Sequence, residues 1–199
     1  MSVKFVLVTG NKNKVREFNA LFQKELGDEY SIVSIKDLGF NADVDENGTT
    51  FEDNALIKAR YAASLGYVGI ADDSGLCVDY LNGAPGIYSA RYSGNGDDAN
   101  NEKLLCELKN VPRDQRTAKF VCSIACAFPD GRTFTVTGEC HGVILNSLAG
   151  ENGFGYDPLF YVPEFNKTFA QMSEDEKNLI SHRAKATQLF TLKIKDYLK

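Results

Sequence analysis

The 199-residue sequence has few of the residues that build sulfur and imidazole metal centres. It contains two histidines, His141 and His182, and its five cysteines include no C-x-x-C pair. Structural zinc sites need closely spaced Cys and His ligands, so this composition argues against a zinc centre. Cys122 and Cys126 are four residues apart in a predicted strand, and we interpret them as core thiols suited to a reducing compartment.

Long apolar runs and an excess of basic residues are also missing. No stretch approaches the roughly 18 consecutive apolar residues of a membrane-spanning helix, and Met1 leads directly into an apolar strand without a basic-then-apolar leader. The net charge of -5 argues against a general nucleic-acid binder, but it allows a small polyanion to bind in a local basic pocket. We therefore expect a cytoplasmic protein whose partners include neither a membrane nor a nucleic acid.

The length of 199 residues and the absence of repeats and linkers predict one domain over residues 1–199, in one or two lobes. The order of elements favours a mixed α/β sheet rather than a strict βαβ alternation. The predicted elements are strands over 3–8 and 30–35, helices over 12–26 and 51–66, two short strands joined by a turn at 72–75, a helix over 98–108, a hairpin around Pro129–Gly131, and one helix from Ser173 to about Tyr197.

The stretch TGNKNK, residues 9–14, joins the first strand to the first helix. It lacks the G-x-x-x-x-G-K-[ST] spacing of a P-loop and the G-x-G-x-x-G of a Rossmann turn. A helix start nevertheless favours an anion, and Gly10 allows close approach of the backbone. Thr9 and Asn11 offer short polar side chains, and Lys14 offers a mobile cation. The alternative is a tight turn with solvated lysines.

Two adjacent carboxylates, Asp72 and Asp73, follow an apolar strand. Crowded carboxylates repel each other unless a cation intervenes, and Mg²⁺ prefers oxygen ligands combined with phosphate. The alternative is an ordinary Asp-Ser-Gly turn. On the preceding helix, Asn54 and Lys58 share a face, so that Lys58 either reaches a phosphate or lies in solvent.

A third group of residues is suited to a nucleobase. Phe154 and Tyr156 lie on a glycine-rich loop beside Asp157, an arrangement able to stack a base and bond its edge, although such aromatics also serve in packing. His182 and Arg183 are adjacent on the last predicted helix. They either take part in a binding site or lie on a solvent-exposed face of that helix.

Taken together, the motifs TGNKNK, TFEDNALIKA, IADDSGL, GAPGIYSARYSG, FGYDP and EKNLISHRAKA resemble, in order and spacing, the inosine triphosphate pyrophosphatase family. The resemblance extends over about residues 4–197. It implies an elongated mixed sheet flanked by helices in two lobes with a central nucleotide cleft, usually in a homodimer. The implied reaction is Mg²⁺-dependent hydrolysis of ITP, dITP or XTP to the monophosphate and pyrophosphate, which removes deaminated purines from the nucleotide pool.

The resemblance also implies roles for individual residues. Asp73 matches the catalytic carboxylate, and Asp72 with Asp73 matches a metal-binding pair. A further metal carboxylate in the loop before the second helix corresponds to Asp45, with Glu46 as the rival. The implied substrate-binding residues are Thr9, Gly10, Asn11, Lys12, Asn13, Lys14, Lys58, Ser74, Phe154, Gly155, Tyr156, Asp157, Lys177, His182 and Arg183.

Selectivity would depend on the 6-oxo acceptor of hypoxanthine and xanthine, which adenine lacks. Donors such as Arg183 or His182 would lose a partner if adenine entered, so we expect Arg183→Ala to narrow the preference for ITP over ATP more than it slows turnover. The sequence does not show which residue excludes GTP.

Two rival functions are a pyrophosphatase for pyrimidine or modified nucleotides and a sensor that binds nucleotide without catalysis. The adjacent carboxylates argue against the sensor, and the ISHRAKA and FGYDP motifs argue against the first rival.

Overall fold

The computed structural model of the protein describes residues 3–26, 30–41 and 43–197. The seven strands within these ranges are β1 (Val3–Leu7), β2 (Tyr30–Ser34), β3 (Val68–Val78), β4 (Thr117–Ala127), β5 (Thr133–Ile144), β6 (Phe160–Val162) and β7 (Lys167–Thr168). The five α-helices are α1 (Lys12–Leu26), α2 (Phe51–Ser64), α3 (Asp97–Glu107), α4 (Glu174–Ile180) and α5 (His182–Tyr197).

The strands form one mixed sheet in the order β2-β1-β3-β4-β5-β6-β7. β1 is parallel to both β2 and β3, whereas β5, β6 and β7 pair antiparallel. The mixed α/β class predicted from the order of elements is therefore confirmed.

The chain divides into two compact units. The first unit contains the described residues up to Asp73, residues 122–138, and those from Arg183 onward; the second contains residues 74–121 and 139–182. β3, β4 and β5 each contribute residues to both units.

The core of the first unit has a helical layer on each face of its strands. Ile70 of β3 packs in a cluster with Phe18 of α1 and Phe190 of α5, whereas the next residue, Ala71, packs in a separate cluster with Ala59 of α2. Successive strand residues face opposite sides of a sheet, so this alternation assigns α1 and α5 to one face and α2 to the other. Gly69 permits the approach of α2, because a Cβ there would lie 2.2 Å from the backbone oxygen of Ala59.

The second unit has its own apolar core, in which side chains of β3, α3 and β6 pack with residues 156–172. Its largest fully buried members include Leu76, Leu104, Phe160 and Phe169. This core supports the segment that carries the FGYDP motif, because Tyr156 and Leu159 belong to it.

Two local predictions are wrong. Residues 72–75 do not form a turn, because β3 continues through them from Val68 to Val78. Asp-Ser-Gly prefers a turn, but two effects outweigh that preference. β3 pairs within the sheet, and cations neutralise both carboxylates.

The C-terminal helix is broken at Ser181, whose backbone is extended (φ -63°, ψ 154°), so that α4 ends before His182 begins α5. Because α4 belongs to the second unit and Arg183 to the first, the break coincides with the change of unit.

None of the helices in the described ranges has the length and apolarity required to span a bilayer.

Candidate active site

Asp73 is the centre of a buried polar cluster in the first unit. Its Oδ1 accepts a hydrogen bond from Lys58 Nζ at 3.2 Å, and its Oδ2 accepts one from Asn54 Nδ2 at 3.2 Å. Both donors are on α2, one helical turn apart, so that they point to the same side of the helix. The prediction that Asn54 and Lys58 share a face is therefore confirmed.

The acidic loop before α2 reaches the same cluster through Glu46. Glu46 Oε1 lies 3.0 Å from Lys58 Nζ, so that two carboxylates, those of Glu46 and Asp73, converge on one ammonium group. Asp45 is exposed, and within the described ranges its side chain forms no ion pair. The structure thus brings the rival residue Glu46, rather than Asp45, to the cluster.

Asp72 faces the opposite side of the sheet from Asp73. Its Oδ2 lies 2.9 Å from Lys14 Nζ of α1 and 3.4 Å from Arg183 Nη2 of α5, and the Cys122 thiol is 4.0 Å away. The side chain of Asp72 has no exposed area, so these two cations neutralise a buried charge. The two adjacent aspartates therefore contact different helices and do not converge on a common point.

Burial and neighbouring charges set the protonation of this cluster. Burial raises the pKa of Asp73, and the cations Lys58 and Lys14 together with the hydrogen bond from Asn54 offset only part of that effect. Burial by itself would lower the pKa of Lys58, but the charges of Asp73, Asp72 and Glu46 outweigh it and raise that pKa. Lys58 thus stays charged, and Asp73 is a stronger base than an exposed aspartate.

The TGNKNK loop forms the start of α1. Thr9 Oγ1 accepts a hydrogen bond from the backbone N–H of Asn11, and Asn11 Oδ1 caps the helix by accepting from the N–H of Lys14. Gly10 and Lys12 are exposed. The backbone of Asn13 lies in the first turn of α1, but its side chain is outside the described part of the structure.

A cation that the sequence reasoning missed lies beside this loop. A Cβ built on Gly10 would be 3.5 Å from Nζ of Lys36, a residue of the 3₁₀ turn Ile35–Leu38 after β2. Lys36 is exposed and has no ion-pair partner among the residues that the structure describes. No sequence signal near Lys36 indicated this, because the contact follows from the parallel pairing of β1 and β2.

The second unit holds a cluster around Asp157. Its Oδ2 accepts hydrogen bonds from Lys177 Nζ at 2.8 Å and from the backbone N–H of Phe154 at 3.0 Å. The Lys177 ammonium lies 5.1 Å from the ring centroid of Phe154 and 5.4 Å from that of Phe169. Gly153 is required at this turn, because its φ is +79° and a Cβ there would lie 2.1 Å from Asp157 Oδ2.

The rings of Tyr156, Phe154 and His182 in this unit have different surroundings. Tyr156 is buried in the apolar core, and its hydroxyl donates to the backbone oxygen of Ser89 at 2.8 Å, which agrees with the packing interpretation. Phe154 is only half-buried. His182 stacks on Phe120, with ring centroids 4.8 Å apart and planes at 13°.

The backbone of Gly155 is held by two residues that sequence reasoning missed. Asp97 Oδ2 accepts from the N–H of Gly155 at 2.9 Å, and Asn101 Nδ2 donates to its carbonyl oxygen at 2.9 Å. Both are on α3, more than 50 residues away in sequence, so no local pattern could reveal the contacts. Ser74, the remaining predicted substrate residue, is half-buried on β3 in this unit.

The contacts of Arg183 that the structure shows lie within the first unit. Its guanidinium contacts Asp72 and lies 5.8 Å from the ring centroid of Phe18 within the first unit. Arg183→Ala would remove one cation from a buried carboxylate, which is a reason to expect lower stability in addition to any change in base preference. The proposed role of Arg183 in selectivity stays a prediction.

Sequence comparisons agree with the resemblance seen in the motifs. A model of the Ham1 family matches residues 5–192. A protein of Desulforamulus reducens named dITP/XTP pyrophosphatase is 54% identical over 187 residues, covering 92% of each chain. A protein of the same name from Clostridium perfringens is 49% identical over 205 residues, covering 98% of this chain and 97% of its own.

Solved structures give the same result for the fold. The Staphylococcus aureus Ham1 protein superimposes with a TM-score of 0.86 at 44% identity, covering 98% of this chain and 99% of its own. A HAM1 protein from Coxiella burnetii superimposes with a TM-score of 0.87 at 36% identity and the same coverage. With the family model matched over nearly the whole chain and the fold shared with these structures, the chain belongs to the Ham1 family.

Proposed function

We propose that this chain is a nucleoside triphosphate pyrophosphatase that converts dITP, ITP and XTP to the nucleoside monophosphate and pyrophosphate. The observation that carries the proposal is the buried Asp73 carboxylate, held at both oxygens beside Lys58 and Glu46, in a chain about half identical to proteins named dITP/XTP pyrophosphatase. Hydrolysis of deaminated purine triphosphates is consistent with those names.

Asp73 is proposed as the base. It accepts a proton as a water oxygen bonds to the α-phosphorus and the bond from that phosphorus to the pyrophosphate oxygen breaks. General-base catalysis of this kind typically contributes about 10²–10⁴-fold.

Cations of the first unit are proposed to bind the triphosphate. Lys58 keeps its charge beside Asp73, and the capped start of α1 offers a partial positive charge with no acidic residue in its first turn. Two further ammonium groups are available: that of Lys14 lies beside Asp72, and that of Lys36 lies beside Gly10. Stabilising the leaving pyrophosphate is the main electrostatic requirement of this reaction class.

The donor set around Lys58 fits Mg²⁺. Within the described ranges no three Asp, Glu, His or Cys side chains gather into a closed metal centre, but Glu46 and Asp73 converge from two segments. Mg²⁺ is commonly held by one or two carboxylates together with substrate phosphates, so an open pair of this kind is sufficient. We propose Glu46 and Asp73 as the protein ligands, and a bound Mg²⁺ would neutralise phosphate charge. Asp72 serves instead as a counterion to Lys14 and Arg183.

The cluster of the second unit is proposed to bind the base. Phe154 is the half-buried aromatic residue available for stacking, and His182 and Lys177 supply donors suited to a 6-oxo acceptor. Lys177 is already paired with Asp157, which holds its ammonium in place. A site built on such donors discriminates against a 6-amino group, because the buried donors would lose their acceptor.

The test is an assay of separate substrates with Mg²⁺: dITP, ITP, XTP, ATP, GTP and dTTP, with monophosphate, pyrophosphate and free phosphate quantified. We expect Mg²⁺-dependent release of pyrophosphate from the first three and little from ATP or GTP. Turnover chiefly of dTTP would favour the pyrimidine-nucleotide rival, and free phosphate without pyrophosphate would reject the proposed bond cleavage. Binding without turnover would indicate a sensor.

Asp73→Asn is the decisive variant in the same assay. It keeps the size of the side chain but removes the base, so turnover of dITP should fall by about 10²-fold or more. Asp130→Asn makes the same chemical change at an exposed aspartate paired with Arg132 and should leave turnover unchanged. Full activity of Asp73→Asn would exclude Asp73 as the base.

The resemblance also implies a homodimer, and the sequence analysis favours a cytoplasmic location; we propose both. The molar mass in solution, measured by light scattering during gel filtration, tests the first proposal. Fractionation of cells that produce the tagged full-length chain tests the second.

A further inference from the structure

Asn54 is a fully buried side chain on α2 whose two polar atoms have different partners. Its Nδ2 donates to Asp73 Oδ2 at 3.2 Å, and its Oδ1 accepts from the backbone N–H of Gly48 at 2.9 Å. The reverse orientation of the amide would place its oxygen against a carboxylate and its NH₂ against an N–H. The environment therefore specifies one orientation of the Asn54 amide.

This amide fixes the orientation of the Asp73 carboxylate. Lys58 holds one oxygen and Asn54 holds the other, so rotation of the carboxylate would break one of the two hydrogen bonds. A lysine ammonium can donate hydrogen bonds over a wide range of directions, whereas the planar amide donates only along the fixed directions of its N–H bonds. Asn54 is thus the more directional of the two restraints.

The same side chain also holds the acidic loop. A Cβ on Gly48 would lie 2.7 Å from Asn54 Oδ1 and 2.5 Å from Asp53 Cβ, so only glycine allows the loop to lie this close to α2. Glu46, two residues earlier, contacts Lys58 from this position. Asn54 therefore contacts both the loop of Glu46 and the carboxylate of Asp73.

We infer that Asn54 is a positioning residue, which orients the Asp73 carboxylate and holds the Glu46 loop so that the two carboxylates keep a productive relative placement. The inference rests on the proposed function, because Asp73 and Glu46 are the base and metal ligands assigned there. Misplacement of a reacting group by about 1 Å can cost about 10²-fold in rate, so the expected effect is large.

Kinetics of Asn54→Ala with dITP test the first half of this inference. We expect kcat to fall by about 10–100-fold while KM stays within about threefold, because orientation of the base affects the chemical step rather than nucleotide affinity. Asn54→Asp retains the acceptor for Gly48 and serves as the second variant should the alanine variant not fold; it should lose at least as much kcat, because it places a second carboxylate against Asp73.

Thr191→Ala provides a control for buried polar groups in the same unit. Its hydroxyl is buried on α5 and donates to the backbone oxygen of Gln188, away from α2. All assays run well below the melting temperature of each variant. A purely structural role would make Asn54→Ala behave like Thr191→Ala, with a lower melting temperature and an unchanged kcat, and that result would overturn the inference.

A double-mutant cycle separates positioning from other losses. If Asn54 acts through Asp73, then Asn54→Ala should reduce kcat by less than about threefold in the Asp73→Asn background, since residues that act as a unit give non-additive losses. Additive losses would mean that Asn54 acts independently of Asp73, and the inference would be wrong.

The role of Asn54 in holding the Glu46 loop is tested without turnover. Binding of Mn²⁺, a probe for the divalent cation, is measured in the absence of nucleotide. Gly48→Ala and Asn54→Ala should each weaken Mn²⁺ binding by several-fold in calorimetric titrations, whereas Thr191→Ala should not. Unchanged Mn²⁺ binding in both variants would exclude the role in holding Glu46. Wild-type protein without turnover of any nucleotide would instead reject the proposed function, and with it this inference.

Discussion

At the scale of single residues, Lys36 offers the most direct test of the phosphate loop. Its ammonium lies beside Gly10, and it has no competing carboxylate among the described residues, whereas Lys14 is paired with Asp72. Lys36→Ala should raise KM for dITP about tenfold with little change in kcat, because a hydrogen bond to a charged group contributes about 1.5–3 kcal/mol. Steady-state kinetics at fixed ionic strength measure this.

Lys24→Ala is the matched control for Lys36→Ala. Lys24 is an exposed lysine in the last turn of α1, at the opposite end of the helix from the phosphate loop. Its removal changes the net charge equally but should leave KM unchanged. Equal increases in KM for both variants would indicate a general charge effect, and no increase for Lys36→Ala would show that the ammonium does not contact substrate.

At the scale of elements, α4 is stabilised by a capping box at its first turn. Ser173 Oγ accepts from the N–H of Glu176, and the Glu176 carboxylate accepts from the N–H of Ser173 and from Lys167. The hydrogen bond from Lys167, together with the backbone bond at Ser173, lowers the pKa of Glu176 below its usual value of 4.5. The cap matters for the site because α4 carries Lys177.

This lowered pKa predicts the pH dependence of one variant. A carboxylate with a depressed folded-state pKa contributes stability that is present above its unfolded pKa and is lost as the pH falls through its folded pKa. Glu176→Gln should therefore have a lower melting temperature than wild type at pH 7, and the difference should shrink below pH 4.5. Thermal unfolding followed by circular dichroism from pH 7 to pH 3 checks this.

Asp175→Asn is the control for the same turn. Asp175 is exposed, with no ion pair in the part of the chain that the structure describes, so its removal should give a small difference that lacks the Glu176 pattern. A melting-temperature difference for Glu176→Gln that is constant down to pH 3 would show that the charge of Glu176 does not stabilise the cap.

At the scale of the whole molecule, three strands connect the two units. β3, β4 and β5 each continue from residues of one unit into residues of the other. Unfolding of either unit would therefore disrupt strands that the other unit also needs. We expect one cooperative thermal transition, with the calorimetric enthalpy equal to the van't Hoff enthalpy. Two resolved transitions in differential scanning calorimetry would contradict this and would also contradict the prediction of a single domain.

Local sequence rules predicted most individual elements. The spacing of apolar residues predicted α1, the capping pattern at Thr50–Asp53 predicted the start of α2, and the Pro129–Gly131 turn predicted the hairpin of β4 and β5, because each depends on residues close in the chain. Motif resemblance also gave Asp73, Lys58, Lys177 and His182 as candidate site residues, since matching positions to a family's motifs does not require coordinates, and their roles stay predictions.

Tertiary structure decided what these residues contact. Because β3 continues through Asp72 and Asp73, the two side chains face opposite sides of the sheet. The helices packed on those sides then place Lys14 and Arg183 beside Asp72, and Asn54 and Lys58 beside Asp73. Tertiary structure likewise brings Glu46, rather than Asp45, into contact with Lys58, and it places Lys36 beside Gly10. The physical reason is that a carboxylate's role depends on the cations that surround it, and those cations come from segments that the folded chain alone brings together.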